Sequence, residues 1–139
     1  MSEVRLTAAG ILAMPESDYM NLIQIAFFKQ LLEEQRQHIL NNAEESLKHF
    51  REAETESDIS DRATQEEQST LEHRFRERER KLLLKIDSAL ERIQKKSYGY
   101  CEKSDEPIGL LRLIARPTAT LSLEEQEKHE KLRRNYQGN

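Results

Sequence analysis

Two stripes of apolar residues, each repeating about once per helical turn, run through the first two thirds of the chain. No Gly or Pro occurs between Pro15 and Gly99, so no strong helix breaker interrupts this stretch. A spacing near 3.6 residues predicts amphipathic helices rather than strands. The first stripe consists of Ile25, Phe28, Leu32, Ile39, Ala43, Leu47 and Phe50. The second consists of Leu71, Phe75, Leu82, Ile86, Ala89 and Ile93, with Arg78 in the same register.

The two stripes predict a long antiparallel helical hairpin within one chain. A helix over residues 20–57 would be about 57 Å long at 1.5 Å per residue. Heptad regularity is too weak for a long self-associating coiled coil, so an intramolecular pair is favoured. Two interpretations of Arg78 stay open: its methylenes cover the seam, or it presents a basic edge to a partner together with Arg74.

Turn-forming residues mark where this helical pattern begins and ends. Pro15 ends any helix before it, and Ser17 or Asp18 is the expected N-cap of the first long helix. Gly99, Pro107 and Gly109 predict a small hairpin over residues 98–109.

The C-terminal part is predicted to contain two further helices. A short apolar helical turn over residues 110–114 should pack with the apolar N-terminal segment as a second core. Ser122 and Glu125 have the spacing of a capping box, which predicts a last helix through about Arg134. We therefore expect a mainly α fold in four parts: an N-terminal segment (1–19), a coiled-coil hairpin (20–96) with its tip at 57–62, a small globular region (97–121) and a C-terminal helix (122–139).

The charges are distributed unevenly along the predicted hairpin. Residues 52–67 contain seven acids and one base, whereas residues 74–85 contain six bases and two acids. The formal net charge of −4 argues against a general nucleic-acid-binding protein. An acidic end therefore adjoins a basic shaft.

Catalytic and metal-binding motifs are missing from the sequence. The chain has neither a Gly-rich phosphate loop nor an HExxH motif, and its four histidines are scattered. Its single cysteine, Cys101, excludes an intramolecular disulfide and indicates a reducing compartment. No apolar run approaches the roughly 18 residues of a membrane span. We expect a cytoplasmic protein that is not an enzyme.

Several segments together resemble the DksA/TraR family, whose members are bacterial factors that enter the secondary channel of RNA polymerase. The resemblance covers nearly the whole chain from about residue 19. The segments are Asp58-Ile-Ser-Asp61-Arg-Ala63, the FRERERKL run from Phe75, Tyr98-Gly-Tyr-Cys101, Pro107-Ile-Gly and Arg112-Leu-Ile-Ala-Arg-Pro-Thr-Ala119. The resemblance implies transcription regulation in the stringent response, by a change in the stability of promoter open complexes.

The chain departs from the family at the zinc site. The family pattern is a CxxC pair, about 17 residues and a second CxxC pair, whereas the matching positions here are Cys101, Ser104, Ser122 and Glu125. Serine and a lone glutamate do not replace zinc thiolates, so region 97–121 is expected to be a degenerate zinc-finger-like region without metal. The chain thus looks like the cysteine-poor, zinc-independent DksA paralogue. Residues 122 and 125 also belong to the predicted capping box, and we hypothesise that helix capping and apolar packing stand in for zinc.

The resemblance also implies roles for individual residues. Asp58, Asp61 and Ala63 match the family's DxxDxA tip, which reaches the neighbourhood of the catalytic magnesium of polymerase. Arg74, Arg76 and Arg78 are expected to contact polymerase. Lys85 and Arg116 match basic contacts to the alarmone guanosine tetraphosphate (ppGpp), whereas a further basic position of the family is Gln126 here.

The implied partners are RNA polymerase and ppGpp, with no zinc requirement, no sequence-specific DNA contact and no membrane. We expect a monomer. Two alternatives remain open at this point: a stimulator of transcript cleavage like the Gre factors, which use a similar acidic tip, and a plain coiled-coil adaptor.

Overall fold

The computed structural model describes the backbone of residues 7–56 and 62–137, and the side chains of residues 7–52 and 65–136. Within these residues the chain is mainly helical, as predicted. The helices are α1 (Ala8–Leu12), α2 (Leu22–Glu56), α3 (Arg62–Gln94), α4 (Leu110–Ala115) and α5 (Leu123–Gln137), with a short 3₁₀ turn at Glu16–Asp18. None of the helices in the described ranges is long and apolar enough to cross a membrane.

The first long helix begins later than its predicted N-cap. Ser17 and Asp18 lie in or beside the 3₁₀ turn, and α2 starts at Leu22. Met20 has a positive φ of 57°, which ends the 3₁₀ segment and turns the chain. Asn21 Oδ1 accepts a hydrogen bond of 2.8 Å from Gln24 N, while Gln24 Oε1 accepts one of 2.8 Å from Met20 N. The prediction of Ser17 or Asp18 was therefore wrong, because Asn21 caps an amide in the first turn of α2 and the Gln24 side chain binds the amide of Met20 just before the helix.

The chain divides into two compact units, and the first to be described is the hairpin unit, Glu33–Asp87. In it α2 and α3 run antiparallel: Phe50 packs on Phe75 with ring centroids 6.1 Å apart, and Arg36 Nε lies 2.9 Å from Asp87 Oδ1. Ile86 is buried, whereas most other seam residues are half-buried, as expected of a two-helix pair. The antiparallel hairpin that the two stripes predict is confirmed.

The globular unit comprises Met1–Leu32 and Ser88–Asn139. Its core joins residues from both segments: Ile11, Gln24, Phe28, Leu32, Ala89, Tyr98, Cys101, Ile108 and Leu113 are buried. Helix α1 packs on α4, which brings Ile11 into the same core as Leu113. The predicted second core is thus present, although Leu111 is 73% exposed.

The predicted hairpin over residues 98–109 forms a small knuckle. Cys101 N donates to Glu106 O at 2.8 Å, and Ile108 N donates to Gly99 O at 2.8 Å. Gly99 has φ +91°, and a Cβ built there would lie 2.7 Å from Met20 Sδ. Glycine is required at this position, since a side chain meets both an unfavourable backbone conformation and a close neighbour.

Candidate functional site

The predicted effector residues of the tip lie at or beside residues 57–61, which the structure does not describe. Asp58 and Asp61 are outside the described residues, and Ala63 lies in the first turn of α3, with its side chain outside them too. Their roles stay predictions. The functional geometry that the structure does describe lies on the basic shaft of α3 and in the knuckle of the globular unit.

Four cations of α3 line up along one side of the helix. We call Arg74, Arg78, Lys81 and Lys85 the cation row. At 100° per residue they fall within an arc of about 60°. All four are exposed, and they line a shallow groove of about 450 Å³ together with His73, Glu77 and Leu82. Arg74 and Arg78 are both exposed and form a basic edge, and contact of this edge with a partner stays a prediction.

The other two bases of this segment point elsewhere. Arg76 and Arg80 lie about 200° and 240° round the helix from Arg74. Arg76 Nη2 lies 2.6 Å from Glu72 Oε1, and Arg80 Nη2 lies 3.1 Å from Glu77 Oε2. The hydrogen bond and positive charge of Arg80 lower the pKa of Glu77. The three arginines predicted to contact polymerase therefore do not share one face: Arg74 and Arg78 belong to the cation row, and Arg76 does not.

The two predicted alarmone residues lie in different units, and each is described within its own. Lys85 ends the cation row of the hairpin unit. Arg116 follows α4 in the globular unit, where it lines an open groove of about 1160 Å³ with Tyr19, Pro107 and Leu111 among other residues. Gln126, the departure from the basic pattern, donates from Nε2 to Glu130 Oε1 at 3.1 Å.

Of the four positions that match the family's zinc ligands, Ser104 and Ser122 lie beside Cys101, which is 1% exposed. Burial acts to raise the pKa of its thiol, but hydrogen bonds from the Ser104 side chain and from the backbone of Ser122, Ser104 and Lys103 outweigh burial and lower the pKa to about 6. Such donors stabilise the thiolate form of the sulfur. The knuckle thus surrounds a single sulfur with hydrogen-bond donors.

This donor set does not fit zinc. A structural zinc site needs four ligands, mostly thiolate and imidazole, and only Cys101 supplies one. Ser122 Oγ accepts from Glu125 N at 3.2 Å at the start of α5, and the Glu125 carboxylate lies 3.5 Å from Lys128 Nζ. Among the described residues, no group of three or more Cys, His, Asp or Glu side chains is placed to hold a metal.

Helix capping supplies one of the contacts that hold the knuckle region together. The Ser122 half of the predicted capping box is present, whereas the Glu125 carboxylate is directed to Lys128. Nearby, Arg112 Nε donates to Leu121 O at 3.0 Å and Glu102 N donates to Thr120 O at 2.9 Å. These bonds fix the chain immediately before α5.

Two tyrosine hydroxyls, to which the sequence analysis assigned no role, fix the rest of the knuckle. Tyr19 Oη donates to Gly99 O at 2.5 Å and accepts from Gly109 N at 3.0 Å, so it connects both arms of the knuckle. Tyr98 Oη donates to Pro117 O at 2.7 Å in a buried setting. Burial raises the pKa of both tyrosines, so both remain protonated donors at neutral pH. The partners lie 80 and 90 residues from Tyr19, a separation that no local pattern reveals.

Comparison with known sequences identifies relatives over most of the chain. Residues 24–93 match the family model of the N-terminal domain of the DnaK suppressor protein DksA, and residues 96–131 match that of the prokaryotic dksA/traR C4-type zinc finger. The chain is 48% identical over 120 residues to the RNA polymerase-binding transcription factor DksA of Caulobacter vibrioides, with 86% of this chain and 84% of that protein covered. It is 41% identical over 111 residues to the protein of the same name from Escherichia coli K12, with 79% and 74% covered.

A solved structure shows the same fold. Transcription factor DksA2 from Pseudomonas aeruginosa matches with a TM-score of 0.83 at 45% identity, covering 92% of this chain and 99% of that one. The resemblance predicted from the tip, shaft and knuckle segments is therefore confirmed at the level of sequence and of fold. The chain belongs to the DksA/TraR family.

Proposed function

We propose that this chain is a transcription regulator that binds bacterial RNA polymerase directly through its secondary channel and alters the stability of promoter open complexes. The observation that carries the proposal is the 48% identity over 120 residues to a protein named RNA polymerase-binding transcription factor. The long helical hairpin and the exposed cation row support it, since a narrow helical rod with one basic edge suits entry into a channel lined by acidic protein surface.

Within this proposal, the tip residues Asp58, Asp61 and Ala63 act near the catalytic magnesium of polymerase. Arg74 and Arg78, the two predicted arginines that share one face of α3, contact the channel or its rim. Polymerase carries out the chemistry, and the chain itself is not an enzyme. It works as a cytoplasmic monomer without sequence-specific DNA contact. ppGpp enhances its effect through Lys85 and Arg116.

We further propose that the chain works without zinc. The donor set around Cys101 supports this, because one thiolate does not make a structural zinc site. Two hydrogen bonds support it as well, from Glu102 N to Thr120 O and from Tyr98 Oη to Pro117 O, since they join the knuckle to the segment that leads to positions 122 and 125.

The test is binding to core RNA polymerase together with the lifetime of a promoter open complex, each measured with and without ppGpp. We expect saturable binding and a shortened lifetime, with a larger effect when ppGpp is present. Cleavage of the transcript in a stalled complex, without any change in open-complex lifetime, would instead favour a Gre-like stimulator. Absence of binding would contradict the proposal.

A further inference from the structure

One member of the cation row, Lys81, has no role so far. We propose that Lys81 is a further polymerase contact, and that the face of α3 that meets polymerase is the cation row rather than the whole basic segment 74–85. This inference rests on the function proposed above and deepens it, because it states which side of the shaft faces the partner.

The cation row forms a line along α3. Its four cations are spaced three or four residues apart along one side of α3, so the row extends over about 17 Å of helix. A small phosphate ligand engages only part of such a line. A strip of acidic side chains on a protein surface matches it along its whole length, and the partner is therefore expected to present carboxylates in a line.

The charges of the cation row are available to a partner. The four cations make no hydrogen bond or ion pair with any residue that the structure describes. Glu77 borders their groove and lies within electrostatic reach of Lys81, but its carboxylate is held by Arg80 at 3.1 Å. A partner meets these charges without first breaking an internal ion pair. Arg76 and Arg80, by contrast, already have acidic neighbours on their own helix.

Lys81 lies in the interior of the cation row. It lies between Arg78 and Lys85 along the helix, and without it the row is interrupted in its middle. Its sequence neighbour Arg80 lies about 100° away round the helix, on the side with Arg76. Lys81 and Arg80 therefore form a matched pair: both are exposed cations of the same segment, and they differ in the face they present.

The experiment compares Lys81→Gln with Arg80→Gln, and Lys81→Glu with Arg80→Glu, in competition with labelled wild-type protein for core RNA polymerase at two ionic strengths. Gln keeps a helix propensity close to that of Lys and Arg, and circular dichroism checks that each variant is folded. We expect Lys81→Gln to weaken binding about threefold and Lys81→Glu about tenfold, with a weaker dependence on salt. The Arg80 variants should stay within about twofold of wild type.

The outcomes separate the inference about the cation row from the proposed function. Equal losses for the Lys81 and Arg80 variants, or no loss for Lys81→Glu, would overturn the inference and leave the proposed function standing. If wild-type protein fails to bind polymerase, the proposed function falls and this inference with it. A last arm titrates a single-stranded DNA oligonucleotide into the labelled protein without polymerase. Binding of DNA with an affinity comparable to that for polymerase, weakened by Lys81→Glu, would assign the row to nucleic acid and also overturn the inference.

Discussion

The hydroxyl of Tyr19 offers a test of how the knuckle is held without zinc. In Tyr19→Phe the ring still packs edge-on against Tyr100, with centroids 5.7 Å apart in the wild type, and only the oxygen is removed. Gly99 O then keeps its hydrogen bond from Ile108 N, whereas Gly109 N loses its acceptor. A buried group left without a partner costs about 1–3 kcal/mol. Because this site is only partly buried and one group is left without a partner, we expect a loss of about 1.5 kcal/mol.

The matched control is Tyr100→Phe in the same knuckle. The Tyr100 ring packs edge-on against the Tyr19 ring, and Tyr100 is 39% exposed. The Tyr100 hydroxyl makes no hydrogen bond to a residue that the structure describes. Thermal and urea unfolding, followed by circular dichroism in a chelating buffer, should show Tyr19→Phe melting about 6 °C lower and Tyr100→Phe close to wild type. Equal midpoints for the two variants would refute the view that the Tyr19 hydroxyl holds the knuckle.

Three further predictions concern Cys101, the start of α5 and the tip. The pKa of Cys101 is about 6, below its ordinary value of 9.0, so between these pH values the thiol is protonated in the unfolded chain and ionised in the folded one. The unfolding free energy of wild type relative to Cys101→Ala should therefore rise from pH 6 to pH 9. A difference that does not change with pH would contradict this prediction. Ser122→Ala removes the N-cap of α5 and should cost about 1 kcal/mol in urea unfolding, whereas Ser97→Ala, an exposed serine without a side-chain hydrogen bond to the described residues, should be neutral. Asp61→Asn or Ala63→Thr should abolish the effect on open complexes while polymerase affinity stays within about threefold of wild type; lost binding would contradict the effector role of the tip.

The long helices were predictable because their signal is local. The two apolar stripes and the absence of Gly and Pro predicted helices close to Leu22–Glu56 and Arg62–Gln94. Ser122 was likewise identified as an N-cap from four consecutive residues. The start of α2 was missed because it depends on the unusual backbone of Met20, which also lies against Gly99 in the fold.

The contacts that fix the knuckle were not predictable from local pattern. Tyr19 and Gly109 are 90 residues apart, and only the folded globular unit brings them together. The separation of Arg76 from the cation row is a different case. At 100° per residue, helical periodicity already places Arg76 on another face than Arg74. A count of the basic residues over 74–85 does not show this difference.

The measurement that tests the central claim most directly is equilibrium binding of the full chain to bacterial core RNA polymerase after exhaustive treatment with a zinc chelator. We predict saturable, salt-sensitive binding with the same affinity before and after chelation, together with an unchanged circular dichroism spectrum. Loss of the fold and of binding on chelation, restored by added zinc, would contradict the claim that this family member keeps its polymerase-binding structure without metal.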